Sequence, residues 1–132
     1  METMDESAPL TECRILVVED EYVIAETLCE ALGDDGATIV GVVGWLDEAV
    51  RFARNRQNDF NCAVVDVNLH GDSSYSAIDA MLERDVYVVL LTGFGKEALK
   101  SPYCDLPRCQ KPFNQRALQT LLSAGMAARH SR

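Results

Sequence analysis

Residues 62 to 74 read CAVVDVNLHGDSS: four residues suited to an interior, one aspartate, then a short polar loop. A brief run of small and β-branched apolar residues bounded by turn formers reads as a strand covered on both faces. Taken alone, Asp66 is no more than the aspartate of a turn, because Asp favours turns. The rest of the chain decides what it is. Apolar runs of similar length recur as RILVV (14–18), ATIVGVV (37–43) and VYVVLL (86–91), with PRCQ (107–110) as a shorter fifth candidate.

Helical spacing fills the gaps between these runs. Ile24, Leu28, Ala31 and Leu32 lie on one face, and Gly33 is placed to end that helix. Leu46, Ala49, Val50 and Ala53 make a second stripe, and Tyr75, Ile78 and Leu82 a third. Leu118, Leu121, Leu122 and Met126 make the last, with Asn114 as its N-cap. Residues 95–101 could give barely a turn or two before Pro102, so the fourth of about five helices is expected to be short or irregular. Strand and helix alternate about five times. That predicts right-handed crossovers and a doubly wound α/β fold around a five-stranded parallel sheet. One domain is expected over 13–127, between tails at 1–12 and 128–132.

Composition narrows the function. The chain has 132 residues and a formal net charge of −9. Phosphate backbones are bound by basic patches, so a nucleic-acid partner is not expected. No apolar run reaches the roughly 18 residues of a membrane span, and METMDESAPLTE lacks the order of a signal peptide. The five cysteines form no CxxC pair and are odd in number. They read as reduced thiols in a cytoplasmic protein.

In a doubly wound sheet, ligands bind beyond the carboxyl ends of the strands. Glu19 and Asp20 follow ILVV directly, Asp66 follows CAVV, Thr92 follows VVLL, and Lys111 follows the weak fifth strand. All five therefore map to one sheet edge. Each has a plainer reading: VEDE as an acidic helix start, Thr92 as a turn residue, Lys111 as a solvated charge. Gathered together, however, the carboxylates would repel. Each close pair costs about 4 kcal/mol at roughly 4 Å and an effective dielectric near 20. Lys111 supplies one compensating charge. A hard divalent cation supplies more, and an oxygen-only cluster suits Mg²⁺. A carboxylate nucleophile, a cation, a hydroxyl and a lysine are the parts of a phosphoryl transfer, with Asp66 as acceptor.

Four stretches, VVEDE (17–21), VVDVNL (64–69), LTG (91–93) and QKPF (110–113), together resemble the receiver domain of bacterial response regulators, from about Arg14 to Met126. The resemblance implies the flavodoxin-like strand order 2-1-3-4-5 and phosphorylation of Asp66 by a histidine kinase or phosphotransfer protein. It implies that Glu19, Asp20, Asp66 and the backbone carbonyl of Asn68 hold Mg²⁺, with Thr92 and Lys111 contacting the phosphoryl oxygens. LTGFG also resembles single-domain receivers that work with HWE-class kinases. The reading is therefore of a stand-alone phosphoacceptor that signals through protein contacts or drains phosphate, with no enzymatic turnover beyond its own phosphorylation and dephosphorylation.

One departure stands out. Many receivers carry Tyr or Phe three positions before the lysine as a switch coupled to the threonine, and here that position is Arg108. Phe94 is a candidate substitute, and an apolar ring there would also slow loss of the phosphoryl group. The segment 93–106, crowded with Gly and Pro, is expected to reorder on phosphorylation. His70, a loop histidine, needs no role. Two rivals fit less well. A haloacid-dehalogenase-type phosphatase wants a second Asp where Asn68 stands. A flavodoxin-like binding module wants a Gly/Ser/Thr-rich phosphate loop where EDEYV stands.

Overall fold

The β-branched runs pair as parallel strands because each can be buried on both faces, and the amphipathic segments between them supply the cover. The computed structural model describes residues 8–93 and 99–130. In chain order they form β1 (Arg14–Val18), α1 (Tyr22–Asp34), β2 (Thr38–Val43), α2 (Leu46–Arg54) and β3 (Cys62–Asp66). A two-stranded hairpin follows, β4 (Asn68–Leu69) and β5 (Asp72–Ser73), then α3 (Tyr75–Glu83) and β6 (Tyr87–Thr92). A 3-10 turn (Tyr103–Asp105), β7 (Arg108–Gln110) and α4 (Gln115–His130) complete the described chain. The parallel sheet runs β2-β1-β3-β6-β7, which is the expected order once the hairpin strands are left out of the count.

Alternation along each strand divides the interior in two. Leu16, Val18, Ala63, Val65, Val88 and Leu90 face α2 and α3. Ile15, Val17, Cys62, Val64, Val89 and Leu91 face α1 and α4. The edge strand β2 is only half-buried, so the double cover predicted for every strand holds for β1, β3 and β6 but not there. The expected tail at 1–12 falls partly outside the described residues, yet Leu10 is fully buried and its N–H donates to Asp35 O at 2.8 Å.

Two helix expectations are corrected. Helix α1 runs past Gly33 and stops at Gly36, whose φ is +98°. There the Ala37 N–H donates to Leu32 O and the Gly36 N–H to Gly33 O, both at 3.0 Å, a Schellman closure. Gly36 has a second reason to be glycine, because a Cβ would meet the Ala8 side chain at 2.9 Å. In α3, Leu82 is exposed, and Ala77, Ile78, Ala80 and Met81 form the buried face. Asn114 caps α4 as expected: its Oδ1 accepts the Ala117 N–H at 2.9 Å. The segment expected to form the short fourth helix, 95–101, falls mostly outside the described residues, as does Phe94.

At the edge opposite the strand exits, Arg84 ties down the loop before β3. Its guanidinium donates to the carbonyls of Ala53, Asn55 and Asn58 and lies 4.6 Å from the Phe60 ring centre.

Candidate phosphoacceptor site

Strand exits place the acids. The Glu19 N–H donates to Val43 O at 3.0 Å, so the chain leaves β1 still tied to β2 and turns its next two side chains over the sheet edge. Asp66 is the last residue of β3 and Thr92 the last of β6, both buried. The Lys111 N–H donates to Thr92 O at 2.8 Å, fixing the lysine just beyond β7. Carboxylate oxygens of Glu19, Asp20 and Asp66 lie within 4.8 Å of one another. Lys111 Nζ bridges two of them, 2.8 Å from Asp66 Oδ2 and 3.1 Å from Glu19 Oε1.

Each acid is held by further donors. Asp66 Oδ1 accepts the Asn68 N–H at 3.0 Å, and Ser74 Oγ donates to the Asp66 carbonyl at 2.8 Å. Asp20 Oδ2 accepts the His70 N–H at 2.8 Å. Glu19 Oε2 accepts the Glu21 N–H at 3.0 Å. Burial pushes the Glu19 carboxyl up to about 7. The Asp66 charge adds to this, and the Glu21 N–H and Lys111 ammonium offset only part of it. For Asp20 burial also acts upward, but the hydrogen bonds, led by the His70 N–H, outweigh it and leave its pKa below the usual value. For Lys111 burial acts downward, and the hydrogen bonds to Asp66 and Glu19 outweigh it, leaving the ammonium harder to deprotonate than usual.

The donor set fits a hard cation. It is all oxygen, and Glu19 Oε1, though close to Lys111 Nζ, is buried without a well-aligned hydrogen-bond donor. A cleft of about 290 Å³ opens beside Asp66, lined by Asn68, Gly71, Tyr75, Thr92 and Lys100 among others. It is large enough for a small anion. Asn68 thus reaches the site with Asp66, while Arg108 does not. Arg108 is half-buried on β7 and lines a shallow outer groove with Gln110, Asn114 and Thr120. Tyr103 and Tyr75 stack instead on the α3 side, centroids 4.0 Å apart.

Solved structures share this fold. A response regulator REC domain of PhyR from Erythrobacter litoralis has a TM-score of 0.73 and 24% identity over 86% of this chain and 89% of that one. SdrG from Sphingomonas melonis Fr1 is 35% identical, covers 88% of this chain and 96% of its own, and has a TM-score of 0.73. The chain belongs to the response-regulator receiver family. The response regulator PhyR from Brucella abortus shares the fold, with TM-score 0.74 and 23% identity over 100% of the receiver described here. The receiver spans only 58% of that chain, little more than half its length. SdrG has also been solved in a BeF3-activated conformation. No family model and no curated protein matches the sequence.

Sequence reasoning missed two residues of this receiver's site. His70 supplies a backbone donor to Asp20, and Trp45 stacks on the His70 ring. The one available signal was Gly44 before Trp45 at a strand exit, where a tight approach is common.

Proposed function

We propose that this receiver accepts a phosphoryl group on Asp66 from a histidine kinase or phosphotransfer protein. A carboxylate oxygen of Asp66 forms the new P–O bond as the bond to the donor atom breaks, and the electron pair leaves with the donor. The observation that carries the reading is the convergence of three carboxylates and Lys111 on one strand-exit edge, with Asp66 beside an open cleft. Magnesium, held by Glu19, Asp20, Asp66 and the Asn68 carbonyl, would neutralise charge on the phosphoryl oxygens. Lys111, whose Nζ lies 2.8 Å from Asp66 Oδ2, would pair with one of those oxygens, and Thr92 lines the cleft they would enter.

The product is a signal carried by protein contact, or a drained phosphate, rather than a released chemical product. The charge of −9 disfavours nucleic acid as the output partner. Among the described residues no helix is long and apolar enough to cross a membrane, and the reading is of a cytoplasmic phosphorelay component. The test is incubation with a small acyl phosphate and Mg²⁺, followed by intact mass. Wild type gains a phosphate adduct and Asp66→Asn gains none. An adduct of equal yield on the variant overturns the assignment.

A further inference from the structure

Two loops that the phosphotransfer chemistry does not itself use meet above Asp20. The first leaves β2 at Gly44. A Cβ at that position would lie 3.3 Å from Glu19 O and 3.4 Å from Asp20 Cα, close enough that the backbone would have to give by a few tenths of an ångström, so the loop passes tightly over the acid pair. The next residue is Trp45, the only tryptophan in the chain. The second loop is the tip of the β4–β5 hairpin, where His70 and Gly71 have φ of +52° and +91°. Positive φ at both central residues is the pattern of a type I′ turn. The hairpin is anchored beneath by buried Leu69 and closed by Asn68 Oδ1 accepting the Gly71 N–H at 2.9 Å.

Trp45 and His70 stack across the gap, with ring centroids 3.6 Å apart and planes 14° from parallel. The backbone N–H of the same His70 donates to Asp20 Oδ2. A non-glycine residue keeps positive φ only where its surroundings hold it there. The stack supplies that hold, and the hydrogen bond passes it to Asp20.

We propose that Trp45 and His70 act as positioning residues, a clamp of two loops that fixes the Asp20 carboxylate for cation binding. The clamp rests on the reading of Glu19, Asp20 and Asp66 as a magnesium site. It goes beyond that reading because neither ring touches the phosphoryl group or supplies a ligand atom. The rings act as one contact, and the His70 ring adds a direct one, its Nδ1 4.0 Å from Asp20 Oδ2, so losing His70 includes whatever losing Trp45 costs.

The test measures Mg²⁺ affinity calorimetrically for wild type, Trp45→Ala, His70→Gly, the double variant and Trp45→Phe. The His70 amide proton is followed by NMR without metal. His70→Gly keeps the backbone donor and favours the turn, so it removes the ring alone. Groups that orient a metal ligand typically contribute about tenfold or more to affinity. Each single variant should therefore bind about tenfold more weakly or worse, and the double variant no more weakly than His70→Gly, while Trp45→Phe stays close to wild type. In metal-free Trp45→Ala the His70 amide proton should move upfield as its bond to Asp20 loosens. Variants that bind like wild type, or single losses that simply add, overturn the clamp. Absence of Mg²⁺ affinity in wild type would instead sink the phosphoacceptor reading. The metal-free amide shift would then still decide whether the rings hold Asp20.

Discussion

Glu19 has no exposed side-chain surface, and burial pushes its carboxyl up to about 7. In the unfolded chain it titrates near 4.5. Between those values the folded protein binds more protons than the unfolded one, so this residue's contribution to stability falls as pH rises through its folded pKa. In metal-free buffer, urea titrations from about pH 5 to about pH 8 should show Glu19→Gln removing a downward component of the stability profile. Asp20 and Lys111 do not confuse the test, since their shifts act below and above this window. By the same sign, Mg²⁺ affinity should weaken as pH drops below about 7, because protonated Glu19 is a poor ligand. Glu19, Asp20, Asp66 and Thr92 could be placed from sequence because they stand at the ends of apolar runs that fix the sheet edge, and Lys111 because it follows the weak fifth strand. Trp45 and His70 could not. An exposed aromatic and a loop histidine carry no periodic signature, and the turn that joins them to Asp20 depends on φ values no residue type announces.

Elements were read correctly where one force dominated. The valine runs of β1, β3 and β6 had no alternative to a covered sheet, and Asn114 caps α4 because its side chain meets an otherwise unpaired N–H. Replacing Asn114 by Ala should lower stability by about 1 kcal/mol in chemical denaturation. The end of α1 was misread because Gly33 and Gly36 differ only in tertiary context: Gly36 closes the Schellman turn and packs on Ala8. Gly125 in α4 is a further case. A Cβ there would overlap the Tyr87 ring, whose hydroxyl donates to Leu121 O at 3.0 Å in the same helix. Helix propensity favours alanine over glycine by up to about 1 kcal/mol. Overpacking costs about 1–3 kcal/mol, so Gly125→Ala should destabilise on balance. In a Tyr87→Ala background the same substitution should stabilise, and thermal melts of the four proteins would separate the two effects.

Across the whole molecule, the two cores shield the thiols unequally. Cys13, Cys62 and Cys109 are buried, while Cys29 and Cys104 are partly exposed. A thiol reagent should label the last two in the native protein and the other three only at the rate of unfolding. Cys29 should be slow near neutral pH, because burial raises its pKa; peptide mass mapping over time checks the order. The predicted reordering of 93–106 also belongs to this scale. Its described part is pinned by the Tyr75–Tyr103 stack and by the Lys100 N–H donating to Tyr75 Oη at 3.2 Å. Amide shifts recorded with a phosphoryl mimic should move across residues 99–106, and unchanged shifts would refute the coupling. Lys111 has one more consequence. An ammonium tethered to the polypeptide is present at a fixed dose from the moment of synthesis, whereas a dissolved ion must be met by diffusion. Newly made chains should therefore fold before any magnesium arrives, and on the proposed reading scarcity of the ion would withhold phosphorylation without unfolding the protein.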